Sequence, residues 1–144
     1  MKTIVPTISS DTTGPLGIAH LPRLWQKILL SAKNLLPEGY DFCGQGYDQM
    51  VLTALDLDRV ETLEYLKTSL PSYPEFEKWI LKKKGKIDPQ VIEKLNAAIR
   101  GYIHTDETRK AILTGAGIED KGLIKDAVRL NNLDDWTEFH ASLK

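Results

Sequence analysis

The sequence predicts an all-α protein, a compact single-domain bundle of about seven short helices with an extended N-terminal arm. Three observations carry that expectation. Apolar residues recur at spacings of three and four along most of the chain. Capping residues at one end and glycine or proline stops at the other bracket the periodic stretches. No stretch keeps period-two alternation, and no Asn-Gly or Asp-Gly pair marks a hairpin.

Residues 1–17 have no helical period and hold Pro6, Gly14, Pro15 and Gly17. They are expected to form an arm laid across the domain through Ile4, Val5 and Ile8, with residues 18–144 as the helical domain. The first helix follows in Leu21, Leu24, Trp25, Ile28, Leu29, Ala32, Leu35 and Leu36. Pro22 sits in its first turn, where a missing N–H costs nothing, and Pro37 with Gly39 is expected to stop it. A loop from Glu38 to Tyr47 leads into a short helix from about Asp48 to Leu55.

The third helix should start at Asp58 and turn Val60, Leu63, Leu66 and Leu70 inward. Ser72 and Glu75 have the spacing of a capping box for the fourth, which carries Phe76, Trp79 and Ile80 and ends at Gly85. Asp88-Pro89 starts the fifth, with Ile92, Leu95, Ile99 and Tyr102 on one face. A shorter helix after Thr105 carries Ile112 and Leu113 and breaks at Gly115 and Gly117. Two amphipathic pieces are expected to close the chain. One holds Leu123, Ile124, Ala127 and Val128; the other holds Trp136, Phe139 and Leu143 behind an Asp134 cap. Leu24, Ile28, Leu63, Trp79, Leu95, Ile99 and Phe139 are the expected core, with all three tryptophans inside it.

Composition narrows the function classes. At 144 residues the chain can bury roughly 68–70% of its unfolded surface, so neither disulfide nor metal is required to hold it. Its 19 basic and 20 acidic residues leave a net charge of −1. A general nucleic-acid binder needs a positive excess to neutralise phosphates, so none is expected here. The single cysteine, Cys43, cannot form an intramolecular disulfide and suits a reducing cytoplasm. No run of about 18 apolar residues offers a membrane span.

Several short motifs stand in a recognisable order: His20-Leu21-Pro22-Arg23-Leu24-Trp25, Leu36-Pro37-Glu38-Gly39-Tyr40 and Gly44-Gln45-Gly46-Tyr47-Asp48. Trp79, Asn96 and the closing Leu133-Asp134-Asp135-Trp136-Thr137-Glu138-Phe139 extend the series over roughly residues 15 to 139. The chain resembles a small bacterial all-helical domain family of unknown function. That resemblance implies a helical domain and no activity. The chain departs from the family pattern at Gln26, where an acidic residue is usual, and at Leu29 and Thr53, where arginine is usual.

The candidate chemistry gathers at the loop. Gly44 and Gly46 precede a helix N-terminus, which favours an anion, and Arg23 and Lys27 stand one turn apart on the first helix as counter-charges. Asp41, Cys43 and Asp48 complete the candidate set. The plain alternative is a tight turn with Asp48 as a cap. Cys43 or Asp41 could instead serve a small enzyme, although a lone cysteine beside Phe42 more often packs as a small apolar residue. His20, His104 and His140 show no metal-ligand spacing, so neither metal nor cofactor is expected. The favoured expectation is a non-enzymatic accessory or binding module holding a small anion or carboxylate. A small enzyme and a helical protein-protein interaction domain are the alternatives.

Overall fold

The computed structural model describes residues 2–144. Among them the chain forms seven helices and no sheet, with isolated bridges pairing Thr13 with Ala19 and Ile103 with Asp126. No helix is long and apolar enough to cross a membrane.

Helix α1 (Leu21–Ala32) lies at the centre and buries Leu21, Leu24 and Ile28 completely. It packs against α2 (Tyr47–Ala54), α3 (Arg59–Ser69) and α4 (Tyr73–Lys84). Helix α5 (Pro89–Gly101) covers α2, and α7 (Ala127–Ala141) joins α5 to α6 (Asp106–Gly115). The core formed by α1 to α5 adds Val51, Leu52, Leu66, Phe76, Ile80 and Ile99, all buried.

Local chemistry explains most boundaries. Asp58, Ser72, Asp88, Thr105 and Asp126 each accept a backbone N–H at a helix start, a cap of about 0.5–2 kcal/mol. Ser72 and Glu75 form the full capping box. Helix α1 ends four residues before the expected Leu36, because Asn34 adopts φ +57°. The Leu35 N–H then reaches the Leu30 carbonyl at 2.8 Å and the Asn34 N–H reaches Ser31 at 3.0 Å, which closes the helix with its carbonyls satisfied. Asn tolerates that left-handed conformation better than most residues. Helix α2 closes the same way on Asp56, with Leu57 N–H on Leu52 at 2.9 Å.

Four expectations need correction. Val60 is 72% exposed, because α3 turns Thr62 and Leu66 inward instead. Leu70 ends that helix as a left-handed cap and stays largely outside. The two expected closing helices are one, α7, capped by Asp126, with Asp134 in its interior and Leu123 and Ile124 ahead of it in irregular chain. Trp136 and Phe139 were expected in the core but are 65% and 56% exposed, since α7 presents Ala127, Leu130 and Asp135 inward.

The arm packs as an integral layer. Ile4 donates to Leu35, the Gln26 side chain bonds Thr7 at both N and Oγ1, and Pro6 and Ser10 are buried. Ile4 remains partly exposed, so the arm is held more by polar bonds than by its aliphatic residues. A Cβ on Gly14 would lie 2.4 Å from the Tyr73 ring and 2.8 Å from Glu77, so only glycine lets the arm approach α4 this closely.

Candidate functional site

A cavity of about 260 Å³ opens where the Gly39–Asp48 loop meets α1, the end of α5 and α7. Arg23, Lys27, Asp41, Gly44, Gly46 and Asp48 all line it, so six of the seven residues singled out from the sequence share one cavity. Cys43 does not line it. It is buried in the apolar cluster, where burial and then Asp48 push its thiol above the ordinary value. A raised thiol is a poor source of thiolate.

Asp48 organises the floor. It is the second residue of α2 rather than its cap, and its Oδ2 accepts from Lys27 Nζ at 2.6 Å and from the Gly44 N–H at 2.8 Å. Its Oδ1 lies 2.6 Å from His20 Nε2. Burial works against the charge, but the His20 and Lys27 donors outweigh it and hold the carboxyl below the ordinary value. His20 is itself buried, and burial first of all lowers its pKa, with Lys27 and Arg23 adding to the effect. A neutral ring fits this geometry: Nε2–H donates to Asp48, and Nδ1 accepts from Ser10 Oγ at 3.0 Å. Ser10, His20 and Asp48 thus tie the arm, α1 and α2 together. Both His20 nitrogens are spent, and Ser10 is buried away from the cavity.

A second buried pair backs the next wall, with Arg23 in the lining and Asp135 behind it. Arg23 donates to Asp135 through both terminal nitrogens, at 2.6 and 3.0 Å, and to the Ile8 carbonyl at 2.9 Å. Tyr40 Oη donates to Asp135 at 2.8 Å. The loop is pinned from outside by Arg59, which bonds the carbonyls of Cys43 and Gly44 and the Gln49 side chain. Gly46, the residue before α2, provides no side-chain cap, and the space beyond its Cα is open. Gly39 opens the loop at φ +96°, and Gly46 has φ −85° with ψ −117°, outside the regions that residues with a Cβ favour, so both positions use glycine's conformational freedom.

Tyr102, His104, Ala127, Asn131 and Asp134 close the far side. His104 Nε2 and Asn131 Oδ1 are 2.8 Å apart. Asp134 has its carboxyl raised, by burial first and then by Glu138 and Asp135. The candidate set read from the sequence leaves out His20, Tyr40, Tyr102, His104, Asn131 and Asp134, of which His20 and His104 are weighed there only as metal ligands. His20, Tyr40 and Asp134 do fall within the short motifs that carry the family resemblance, but those motifs imply no activity and so no site role. Among the described residues no cluster of three or more His, Cys, Asp or Glu side chains is arranged to hold a metal ion.

A scan of protein-family models finds no match to the chain, and a search of curated proteins finds none either.

Proposed function

We propose that the protein is a binding module that holds a small carboxylate in the cavity between the Gly39–Asp48 loop and α7. The observation that carries this reading is the uncapped start of α2, open to the cavity beside Lys27. The first N–H groups of a helix lack intrahelical partners and carry about half a positive charge, which suits an oxyanion. Lys27 spends one donor on Asp48 and keeps others for a ligand. At about 260 Å³ the cavity falls just below the roughly 300–1,000 Å³ of ordinary ligand pockets, which favours a molecule smaller than a nucleotide. The Cys43 form of the enzyme alternative is disfavoured, since the raised thiol faces the core, while Asp41 stays in the lining. A cytoplasmic location rests on that single unpaired cysteine. Membership of the small helical family rests on the sequence motifs alone.

The test is a thermal-shift screen of acetate, succinate and phosphate at constant ionic strength. A ligand binding at about 1 mM, supplied at about 10 mM, adds roughly 1.4 kcal/mol, or about 3–6 °C for a domain of this size. Gly46→Asp places a carboxylate in the open space at the start of α2 and should abolish the shift, with far-UV circular dichroism reporting whether the variant keeps its fold at a ψ of −117° that suits glycine. No shift in the wild type, or the same shift in the variant, leaves the loop as a turn and nothing more. A second reading, docking of a protein partner, is favoured by the exposed Trp136 and Phe139 on α7.

A further inference from the structure

Helix α7 turns an apolar ridge away from the chain. Trp136 is 65% exposed, Phe139 one turn on is 56% exposed, and Leu143 follows at the i+7 position, 68% exposed. Beside the ridge runs a groove of about 230 Å³, walled by arm residues 5–9 and by Asn132, Trp136 and Phe139 of α7. A cavity of about 150 Å³ admits a benzene ring, so this groove has room for an aromatic side chain. Among the described residues Asp135 is the only charged group in its lining, and it is buried and spent on Arg23 and Tyr40. An acidic or basic partner finds no counter-charge here. The occupant that fits is as uncharged as the groove and brings an aromatic side chain of its own.

We infer that this occupant is a second copy of the chain, paired about a two-fold axis so that Trp136 of each copy enters the groove of the other. A ridge and a groove side by side on one face complement themselves under a two-fold rotation, which is what an isologous interface requires. Asn132 in the groove offers an acceptor for the incoming indole N–H. Area sets the strength. With aromatic side chains of about 150–250 Å² each, the exposed part of the ridge amounts to roughly 350–400 Å². Homodimer interfaces are about 65% apolar, so two such ridges imply roughly 1,100 Å² in total. That just clears the ~1,000 Å² of a specific interface and lies in the range of weak association. The dimer should form at about 100 μM and fall apart near about 1 μM, where Trp136 adds nothing to the stability of the single chain. The inference does not depend on the carboxylate reading, because groove and cavity share no lining residue.

Sedimentation equilibrium on the whole chain, from about 1 to about 500 μM, provides the test. The weight-average mass should climb from 16.2 kDa toward twice that value. Trp136→Ala should raise the dimer dissociation constant at least about tenfold, and Phe139→Ala should act in the same direction. Asn132→Arg, which puts a large cation in the groove and leaves the ridge intact, should also weaken the dimer. Val60→Ala, at an exposed position on α3, should change nothing, and far-UV circular dichroism reports whether each variant is folded. A dimer untouched by Trp136→Ala and Phe139→Ala overturns the inference. One weakened by both but untouched by Asn132→Arg overturns the seating in the groove and leaves ridge packed on ridge. A chain that stays monomeric overturns the inference outright. If phosphatidylcholine vesicles then shift the tryptophan emission of the wild type and not of Trp136→Ala, the occupant is a lipid surface; if they do not, it is a different protein.

Discussion

The bundle of α1 to α5 and the pair α6–α7 are built differently. In the first, apolar side chains from five helices converge on α1, and Phe76, Ile28, Leu66 and Ile99 are fully enclosed. In the second, Leu113 and Leu130 are buried apart from that cluster, while Ile118, Leu123, Trp136, Phe139 and Leu143 face outward. Polar links do more of the holding there. Arg109 bridges Asp106 and Asp120, Arg23 reaches across to Asp135, and the His104 ring meets Asn131. Non-directional apolar burial makes a deep core, whereas paired polar groups fix geometry for little net stability. The cavity lies at the junction, where polar pairs can form walls without being squeezed shut.

The largest expected effect belongs to the core. Phe76→Ala should cost about 3–5 kcal/mol by urea denaturation, whereas Trp136→Ala should stay within about 0.5 kcal/mol. Equal losses would erase the distinction between the two regions. Asp135→Ala should come close behind, at about 3–5 kcal/mol, because it leaves the Arg23 guanidinium buried without its partner. Joint replacement of both by apolar residues, Arg23→Met with Asp135→Leu, should recover much of that loss; failure to recover would mean the pair stabilises more than it costs. Native-state hydrogen exchange should open amides of α6 and the second half of α7 at lower free energy than those of α1 and α4. A single shared opening energy would show one cooperative unit instead.

The smallest effect is a slope with pH. His20 has its folded pKa below the unfolded value of about 6.5, so the unfolded chain binds more protons once pH falls under that value. Stability should therefore decline below about pH 6.5, by at most about 1.4 kcal/mol per pH unit, with Asp48 adding its own loss only below about pH 4. His20→Asn keeps a residue tolerant of the φ of +70° found there and removes the titrating ring. Its stability should be lower at neutral pH and flatter between pH 7 and 5. An unchanged slope would assign the acid sensitivity elsewhere.

The site was legible in part. Arg23 and Lys27 one turn apart, with Gly44, Gly46 and Asp48, were enough to find one wall of the cavity, because i and i+4 share a helix face and glycines mark a turn. Their pairing was not legible. Asp135 lies 112 residues from Arg23, and Asp48 lies 21 from Lys27 with a loop between, so no local spacing announces either bond. The same holds for Ser10, in a stretch that reads only as an arm, and for His20, which stands just ahead of the first helix.

By itself the sequence determined the all-helical class, the positions of α2 to α6 within a residue or two, the capping box at Ser72 and the helix starts at Asp58, Asp88 and Thr105. Those are short-range properties: a cap and its N–H lie two or three residues apart, and helical period is visible in any window of a few turns. Only the tertiary structure decided which face of α3 and α7 points inward, since both helices have apolar residues on more than one side and a neighbour must choose between them. It also decided that Arg23 and Lys27 would be bound within the chain. A charge taken out of water must find a partner, and that partner is whichever carboxylate the packing brings within reach.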